Sequence, residues 1–262
     1  MENIIDLNRY PLNREGSKEW DALVAWASDE LKRDGMFNLE GFIRPEALKQ
    51  AVNEILPVVK DNSHTHKRVH NIYFRPEIPE LPRDHPALRT VETINHTVCA
   101  DQIAESLITS VYEYEPLVTF IAATMHKQKL YVMEDPLAKI NILAYREGEA
   151  LNWHFDRSEF TTTLLLQEPK QGGEFEYRNN LRSDSDPNYD GVAALLEGRD
   201  ANVQKMSLKS GTLNVFRGKN TAHRVSRVVG EKDRMVAVFS YYERPGVVFR
   251  EEERVGFYGR AH

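Results

Sequence analysis

The sequence predicts a mainly β protein with helices on its N-terminal side, an α+β arrangement around a β-rich core. From about residue 138, short segments rich in Val, Ile, Leu, Thr, Phe and Tyr are separated by Gly, Pro, Asn and Asp, which is typical of a β-sandwich or barrel. Before that residue, apolar positions recur at helical spacing in longer segments. The 262 residues are enough to bury a sizeable core in one domain.

The N-terminal half predicts helices separated by breaks. The first begins on Ser17, a good N-cap, and ends at Gly35, a residue type common after helix ends. The predicted elements of this half are a helix over 17–35, a strand over 36–43, a helix over 44–61, and helical patterns over 101–110 and 115–126. Residues 62–89 hold four Pro and four His without a clear period, which indicates either a functional loop or a poorly ordered one.

The C-terminal half predicts eight short strands. They are the segments AKINILAYREGE, LNWHFD, FTTTLLLQE, GGEFEYR, KMSLK, GTLNVFRG, AHRVSRVV and RMVAVFSYYE. Residues 181–203 interrupt this pattern with a cluster of Asp, Ser, Pro and Gly and then a short helix near 191–197. We expect this stretch to be an insertion in the β-rich core.

Composition narrows the classes of function. Hydrophobic residues make up 41% and charged residues 28%, as in ordinary soluble proteins. The net charge of −6 argues against a nucleic-acid binder or a binder of anionic membranes, because both need a basic face. Cys99 is the only cysteine, so an intrachain disulfide and a cysteine-based zinc site are excluded. With no signal segment and no long apolar run, we expect a cytoplasmic protein without a membrane segment.

The triplet His154-Phe155-Asp156 is the first candidate for chemistry. On a strand, or at its end, residues i and i+2 point to the same face, so His154 and Asp156 can hold one metal ion together. His223, at the start of a later predicted strand, is the candidate third ligand. Two imidazoles and one carboxylate form the facial triad of a non-haem Fe(II) site, which leaves positions open for substrates and O2.

Three further side chains are candidates for binding a small acid beside this triad. Arg234 lies eleven residues after His223 on the next predicted strand, where a buried guanidinium could grip a carboxylate with two parallel hydrogen bonds. Tyr145 and Asn141 lie on the strand before the triplet and could supply neutral donors.

The order of these features resembles that of the Fe(II)/2-oxoglutarate-dependent oxygenases. The matching features are His-x-Asp at 154–156, Gly-Gly-Glu-Phe at 172–175, Gly-x-Leu-x-Val-Phe at 211–216, His-Arg-Val at 223–225 and the arginine at 234. In this detail the resemblance covers about 138–245. Over most of the chain, the sequence also resembles the bacterial branch of amino-acid halogenases and hydroxylases that act on free lysine and related amino acids. HNIYF at 70–74 and GFYGR at 256–260 contribute to this finer resemblance.

The resemblance implies a distorted double-stranded β-helix, or jelly roll, with supporting N-terminal helices. We therefore expect one domain over 1–262, with a helical support and lid region at 1–137, a catalytic core at 138–245 containing the insertion 181–203, and a substrate-covering tail at 246–262. It implies that His154, Asp156 and His223 hold Fe(II) and that Arg234 pairs with the 5-carboxylate of 2-oxoglutarate. O2 would then oxidise this cosubstrate to succinate and CO2 while an unactivated C–H is hydroxylated.

The identity of residue 156 predicts the reaction within this branch. The halogenases carry Gly or Ala at the corresponding place, so that chloride can occupy the vacant metal position. Asp156 supplies a carboxylate for that position. We therefore expect hydroxylation, or another oxidation such as desaturation, and not chlorination.

The substrate is expected to be a small molecule, an amino acid, whose carboxylate and ammonium need partners. The candidates for the carboxylate are Arg68 and Arg75, with His70 beside them, and those for the ammonium are Glu134 and Asp135. The resemblance also implies aromatic residues near the C-terminus over the substrate, and Phe257 and Tyr258 fit. Arg157 follows the triplet where the lysine halogenases carry acidic side chains, which favours a substrate with an anionic or neutral polar end.

Two other functions remain open at this point. One is a cupin-type metalloenzyme that does not use 2-oxoglutarate, for which Arg234 would not be required. The other is a small-molecule-binding module on the same fold, for which an intact triad would not be needed. The sequence is also compatible with a homodimer.

Overall fold

The computed structural model describes all 262 residues as a β-rich core with helices packed on one side. The α-helices are α1 (Lys18–Asp34), α2 (Pro45–Asn62), α3 (Leu107–Tyr112), α4 (Glu115–Thr124), α5 (Tyr189–Leu196) and α6 (Glu251–Tyr258). Two 3-10 helices cover Pro86–Leu88 and Ala100–Ile103. None of the helices combines the length and the hydrophobicity needed to cross a membrane.

Fifteen strands form the β-rich part. They are β1 (Met36–Leu39), β2 (His64–His70), β3 (Val91–Val98), β4 (Tyr131–Val132), β5 (Ile140–Tyr145), β6 (Leu151–His154), β7 (Thr161–Gln167), β8 (Gln171–Gly172), β9 (Phe175–Arg178), β10 (Gln204–Met206), β11 (Leu213–Phe216), β12 (Ala222–Val225), β13 (Val228–Val229), β14 (Arg234–Phe239) and β15 (Tyr241–Tyr242). Each of the eight segments predicted after residue 138 overlaps at least one of these strands.

Two antiparallel sheets build the core. The large sheet has seven strands in the order β1-β11-β7-β14-β5-β3-β2, and the small sheet has four in the order β10-β9-β12-β6. Two short pairs, β13-β8 and β15-β4, complete the strand pairing. This mainly β arrangement with a few helices is the double-stranded β-helix that the sequence predicted.

The large sheet presents two different faces, which decides where a site can form. On one face, Ile142 of β5, Leu164 of β7 and Ala237 of β14 are buried with the apolar side of the helices, including Ile55 of α2. The opposite face of β5 carries Asn141 and its neighbours at the alternate positions, as the two-residue period of a strand requires. The helices therefore support the sheet from outside, and the inside is free for polar groups.

The helix ends follow the sequence signals. Ser17 accepts a hydrogen bond from the amide of Trp20 and begins α1, and Gly35 ends it in the left-handed conformation with φ of 74°. The insertion contains α5 where a short helix was expected. The helical pattern at 101–110 is divided in the structure between a 3-10 helix and α3.

The prediction of a loop over 62–89 is wrong at its start, where β2 lies. The sequence HTHKRVH has no hydrophobic alternation because neither face of this strand enters the apolar core. His66, Arg68 and His70 point inward to a polar cavity, whereas Thr65 and Lys67 are exposed. Its partner β3 was also not predicted, because Asn95 and its same-face neighbours line that cavity, although Val98 on the other face belongs to the apolar core.

Candidate active site

The candidate metal ligands come from two adjacent strands of the small sheet. His154 is the last residue of β6, His223 lies on β12, and the antiparallel register places them opposite each other. Asp156 follows two residues after His154. One ligand atom from each of the three residues lies within 4.8 Å of the others, so the group could hold one metal ion.

Backbone hydrogen bonds orient both imidazoles in the same way. The Nδ1 of His154 donates to the carbonyl oxygen of Asn152 at 2.8 Å, and the Nδ1 of His223 donates to that of Thr221 at 3.0 Å. The two Nε2 atoms therefore remain free, and they lie 3.3 and 3.5 Å from the Oδ1 atom of Asp156. This is the tautomer that metal-binding histidines need.

The carboxylate of Asp156 is fixed on its other side. The backbone amide of Asp156 donates to the carbonyl oxygen of Gly218 at 3.0 Å, and the Thr161 hydroxyl donates to Oδ2 at 2.5 Å. Burial by itself raises the pKa of Asp156, but His223 and His154 outweigh it and hold that pKa well below its usual range. The side chain is thus an ionised ligand with one oxygen directed at the imidazoles, and two nitrogens with one carboxylate oxygen suit Fe(II).

Gly218 makes room for this carboxylate, and replacing it is expected to weaken metal binding. A Cβ atom at residue 218 would lie 2.2 Å from Oδ2 and 2.8 Å from Cβ of Asp156. We expect Gly218→Ala to displace Asp156 and to lower iron affinity by about 10-fold or more, as loss of a ligand-orienting contact does. Equilibrium dialysis with Fe(II) measures this.

Gly256→Ala is the matched control, because a Cβ atom there meets nothing within 4 Å. Unchanged iron affinity in Gly218→Ala would show that Asp156 can move without cost.

Arg234 is a buried cation without an acidic partner. It is 4% exposed, begins β14 opposite Tyr145 of β5, and its Nε donates to the carbonyl oxygen of Gly173 at 3.1 Å. No carboxylate pairs with the guanidinium, and burial lowers its pKa.

The hydroxyl of Tyr145 is buried without a hydrogen-bond partner. Burial raises the pKa of Tyr145 to about 12, so the hydroxyl is a donor at neutral pH. A bound carboxylate would satisfy both groups.

A cavity of about 300 Å³ opens beside the triad. It is lined by His154 and Asp156 and by six further predicted site residues, which are Arg68, His70, Asn141, Arg157, Phe257 and Tyr258. Arg234 lines a second cavity of about 350 Å³ next to Gly173. Arg234 and Val238 share one face of β14, and Val238 lines the first cavity, so the arginine lies on the same face of the large sheet as that cavity.

The HNIYF segment is built around a turn that brings Phe74 to the triad. Asn71 is buried, and its side-chain oxygen accepts hydrogen bonds from the amides of Tyr73 and Arg75, both at 3.1 Å. Phe74 has a φ of 54°, and its ring lies 6.0 Å from that of His154. The turn therefore closes one wall of the cavity.

Three of the predicted substrate contacts are corrected by the structure. Arg75 is exposed and does not line the cavity, because the Asn71 turn directs it to solvent. Glu134 is also exposed, and it accepts a hydrogen bond from the amide of Gly246. Asp135 is fully buried outside the cavity and cannot receive an ammonium of the substrate.

Asp135 anchors the C-terminal segment. It accepts hydrogen bonds from the amides of Leu137, Ala138 and Phe249 at 2.8–2.9 Å and pairs with Arg254 of α6 at 2.9 Å. Burial by itself raises its pKa, but these donors outweigh it and lower the pKa. Phe249 and the residues that follow are thereby held against the cavity.

Asp135→Asn is expected to destabilise the protein by about 3 kcal/mol, because it breaks an ion pair whose carboxylate is fully buried and leaves the partly buried Arg254 without a counter-ion. Urea unfolding measures this. Asp101→Asn is the control, since Asp101 pairs with Arg260 of the same C-terminal segment at the surface, and its loss should cost less than about 1 kcal/mol. Equal costs for the two variants would contradict an anchoring role for Asp135.

Sequence reasoning missed part of the cavity lining. Thr93, Asn95 and Thr97 alternate along β3, and His66 and Phe74 face them. The polar alternation in TINHT was the available signal, but such a pattern ordinarily marks a solvent-facing strand side.

The comparisons with known proteins agree with this geometry. The model of the family described as Halogenase D (HalD) matches residues 19–247. No curated protein sequence matches the chain.

Solved structures share the fold at low sequence identity. An oxidoreductase of the 2OG-Fe(II) oxygenase family from Burkholderia pseudomallei is 13% identical, with 89% of this chain and 94% of that chain covered and a TM-score of 0.52. The prolyl-4-hydroxylase of Pseudomonas putida is 14% identical, with 83% and 98% covered and a TM-score of 0.51. The alpha-ketoglutarate-dependent epimerase SnoN from nogalamycin biosynthesis is 12% identical, with 85% and 83% covered and a TM-score of 0.57.

The predicted cofactors agree with these similar proteins, since one SnoN structure contains Fe3+ and alpha-ketoglutarate. Because the family model spans most of the sequence, from residue 19 to residue 247, this chain belongs to the Halogenase D family, and it has the double-stranded β-helix fold of the 2OG-Fe(II) oxygenases.

Proposed function

We propose that the protein is a non-haem Fe(II)/2-oxoglutarate-dependent dioxygenase that hydroxylates an unactivated C–H of a small polar substrate, an amino acid. The observation that carries this proposal is the pairing of two incomplete sites in one barrel. Ligand atoms of three residues lie within 4.8 Å of one another, Arg234 has no carboxylate partner in the protein, and the buried Tyr145 hydroxyl has no hydrogen-bond partner there. Fe(II) and the 5-carboxylate of 2-oxoglutarate complete both.

Each residue of the site has a defined task under this proposal. His154, Asp156 and His223 hold the iron, and Arg234 and Tyr145 hold the distal carboxylate of the cosubstrate. When bound, iron and 2-oxoglutarate supply the oxidising chemistry, in which O2 converts the cosubstrate to succinate and CO2. Asn141 belongs to the substrate side in this proposal, because its side-chain oxygen accepts from Tyr258 and its nitrogen donates to Leu137.

The fixed carboxylate of Asp156 favours hydroxylation over halogenation, although the family model carries the name of a halogenase. Thr161 and Gly218 hold Asp156 so that Oδ1 faces both imidazoles. A ligand held in this way occupies the metal position that a halide would need. The supporting contacts come from the protein and do not depend on the metal.

The cavity supports a small substrate. Its volume of about 300 Å³ is at the lower end of the range for small-molecule sites. Phe249, Phe257 and Tyr258 line it from the C-terminal side, which supports the division proposed from the sequence, in which 246–262 covers the substrate. Aromatic side chains there would exclude water from the reacting C–H.

The test begins with anaerobic loading of the protein with Fe(II) and 2-oxoglutarate. The complex is then exposed to O2 with a panel of free L-amino acids in chloride buffer, and succinate and product mass are measured together. We expect succinate coupled to the gain of one oxygen atom by one amino acid. A chlorinated product would overturn the hydroxylase assignment, and iron binding without any succinate would overturn the dioxygenase assignment.

A further inference from the structure

The substrate side of the cavity carries cations without matching carboxylates. Arg68 and Arg157 both line the cavity, whereas its only carboxylate is Asp156. That carboxylate faces the two imidazoles of the triad. His66 and His70 add no negative charge, and burial lowers the pKa of each, so they are neutral near pH 7.

The carboxylates closest to the cavity are already paired. Glu253 lies 3.3 Å from Arg157 and accepts a hydrogen bond from the amide of Arg250 at 3.2 Å. Asp135 is buried and paired with Arg254. No free carboxylate therefore remains to receive an ammonium at the end of a substrate side chain.

Arg68 has no counter-ion. Its guanidinium lies 4.5 Å from the ring centre of Phe74, and it forms no ion pair. Burial, and then the charge of Arg157, lower the pKa of Arg68. A substrate carboxylate would relieve this unpaired charge and could bind it with two parallel hydrogen bonds.

The side-chain oxygens of the two asparagines in this wall are occupied as acceptors, and the amide nitrogen of Asn141 already donates to the carbonyl oxygen of Leu137. The side-chain oxygen of Asn95 accepts from the Thr97 hydroxyl at 2.8 Å, whereas the amide nitrogen of Asn95 has no acceptor in the protein. The side-chain oxygen of Asn141 accepts from Tyr258 at 2.9 Å. Asn95 stands opposite His66, and Arg68 lies two residues further along β2 on the same face, opposite Thr93, so the free donors of Arg68 and Asn95 share one wall.

The overall charge balance points the same way. Under the proposed function, Fe(II) with Asp156 and 2-oxoglutarate with Arg234 carry no net charge together. Arg68, Arg157 and Glu253 then leave one net positive charge for the substrate. An amino acid with an acidic side chain carries one negative charge, and lysine carries one positive charge.

We propose, on the basis of the proposed oxygenase function, that the substrate is a small dicarboxylic amino acid with one carboxylate bound by Arg68 and Asn95. Amino acids with a second ammonium, such as lysine, are rejected. The specificity lies in unpaired donors on β2 and β3, which neither the triad nor Arg234 requires.

The experiment compares three ligands of similar length that differ in the side-chain end: L-2-aminoadipate, L-norleucine and L-lysine. Their dissociation constants are measured by calorimetry on the anaerobic protein loaded with Fe(II) and saturating 2-oxoglutarate. We expect 2-aminoadipate to bind at least about 10-fold more tightly than lysine, with norleucine between them. The positive charge of Arg68 attracts the side-chain carboxylate of 2-aminoadipate and repels the side-chain ammonium of lysine. Succinate formation is measured separately.

Variants of Arg68 test whether its positive charge determines the preference for 2-aminoadipate over lysine. Arg68→Gln should reduce the preference for 2-aminoadipate over lysine to within about 3-fold, and Arg68→Lys should retain part of it, because the charge is kept while the two parallel hydrogen bonds are lost. Binding of 2-oxoglutarate should be unchanged in both, which shows that they are folded. Tighter binding of lysine, binding of none of the three ligands, or a preference that survives Arg68→Gln would overturn the inference. In each case succinate formation would still report on the proposed function independently.

Discussion

Arg234→Met is expected to lower the affinity for 2-oxoglutarate by more than about 100-fold while iron binding stays unchanged, because it removes one partner of a desolvated charge pair. The guanidinium is 4% exposed and has no acidic partner in the protein, so under the proposed function the cosubstrate supplies its counter-charge. Methionine keeps much of the side-chain length and leaves no buried charge. Calorimetric titration of the anaerobic Fe(II) protein with 2-oxoglutarate measures the change.

Arg244→Met is the matched control for this experiment. Arg244 is exposed shortly after β14 and forms no ion pair, so the variant should bind 2-oxoglutarate as the original protein does. If Arg234→Met also bound 2-oxoglutarate normally, the site would have to be that of a metalloenzyme that does not use this cosubstrate.

Asp156→Ala is expected to lower iron affinity and hydroxylation by more than about 100-fold, a larger loss than changes to ligand-orienting residues produce. The original protein should form no chlorinated product in chloride buffer, since under the proposed function the carboxylate would occupy the position that a halide needs. Iron content after dialysis and product masses measure the two effects. Asp29→Ala, at an exposed position of α1, should change neither. If Asp156→Ala retained full hydroxylation, Asp156 would not be one of the metal ligands.

The catalytic part of the site was open to prediction because its signals are local. His154 and Asp156 lie two residues apart at the end of one strand, so strand periodicity predicts a common face for these two, and His223 was a candidate because it begins another predicted strand. The helix boundaries were equally local, since Ser17 and Gly35 end α1 through their own backbone and side-chain chemistry.

The substrate side could not be predicted in the same way because its contacts are distant in sequence. Asp135 looked available for an ammonium, but its partner Arg254 lies 119 residues later. The acidic and basic run at 251–254, which alone resembles a solvent-facing surface, supplies this buried ion pair. Arg254 could be assigned only once the position of α6 was known.

The two strands missed from the sequence illustrate a second physical limit. β2 and β3 turn their polar side chains inward, so the usual inference from polarity to solvent exposure places them on the wrong side. His70 is a clear case: it is buried, its Nδ1 donates to the carbonyl oxygen of Asn71, and its Nε2 lies 2.9 Å from the Thr93 hydroxyl. Both ring nitrogens of His70 have hydrogen-bond partners within the protein, so the side chain can be buried although the surrounding sequence shows no hydrophobic pattern.

Because β2 lies at the edge of the large sheet, its residues can change in evolution independently of the candidate metal ligands and Arg234. The triad lies on β6 and β12 of the other sheet, and Arg234 lies on β14 in the middle of the large one. Under the proposed function, substitutions along β2 would therefore alter which molecule is accepted while the metal ligands and Arg234 stay unchanged. A lineage built on this scaffold can acquire new substrates by changing one edge strand, and relatives with identical metal ligands need not share a metabolic role.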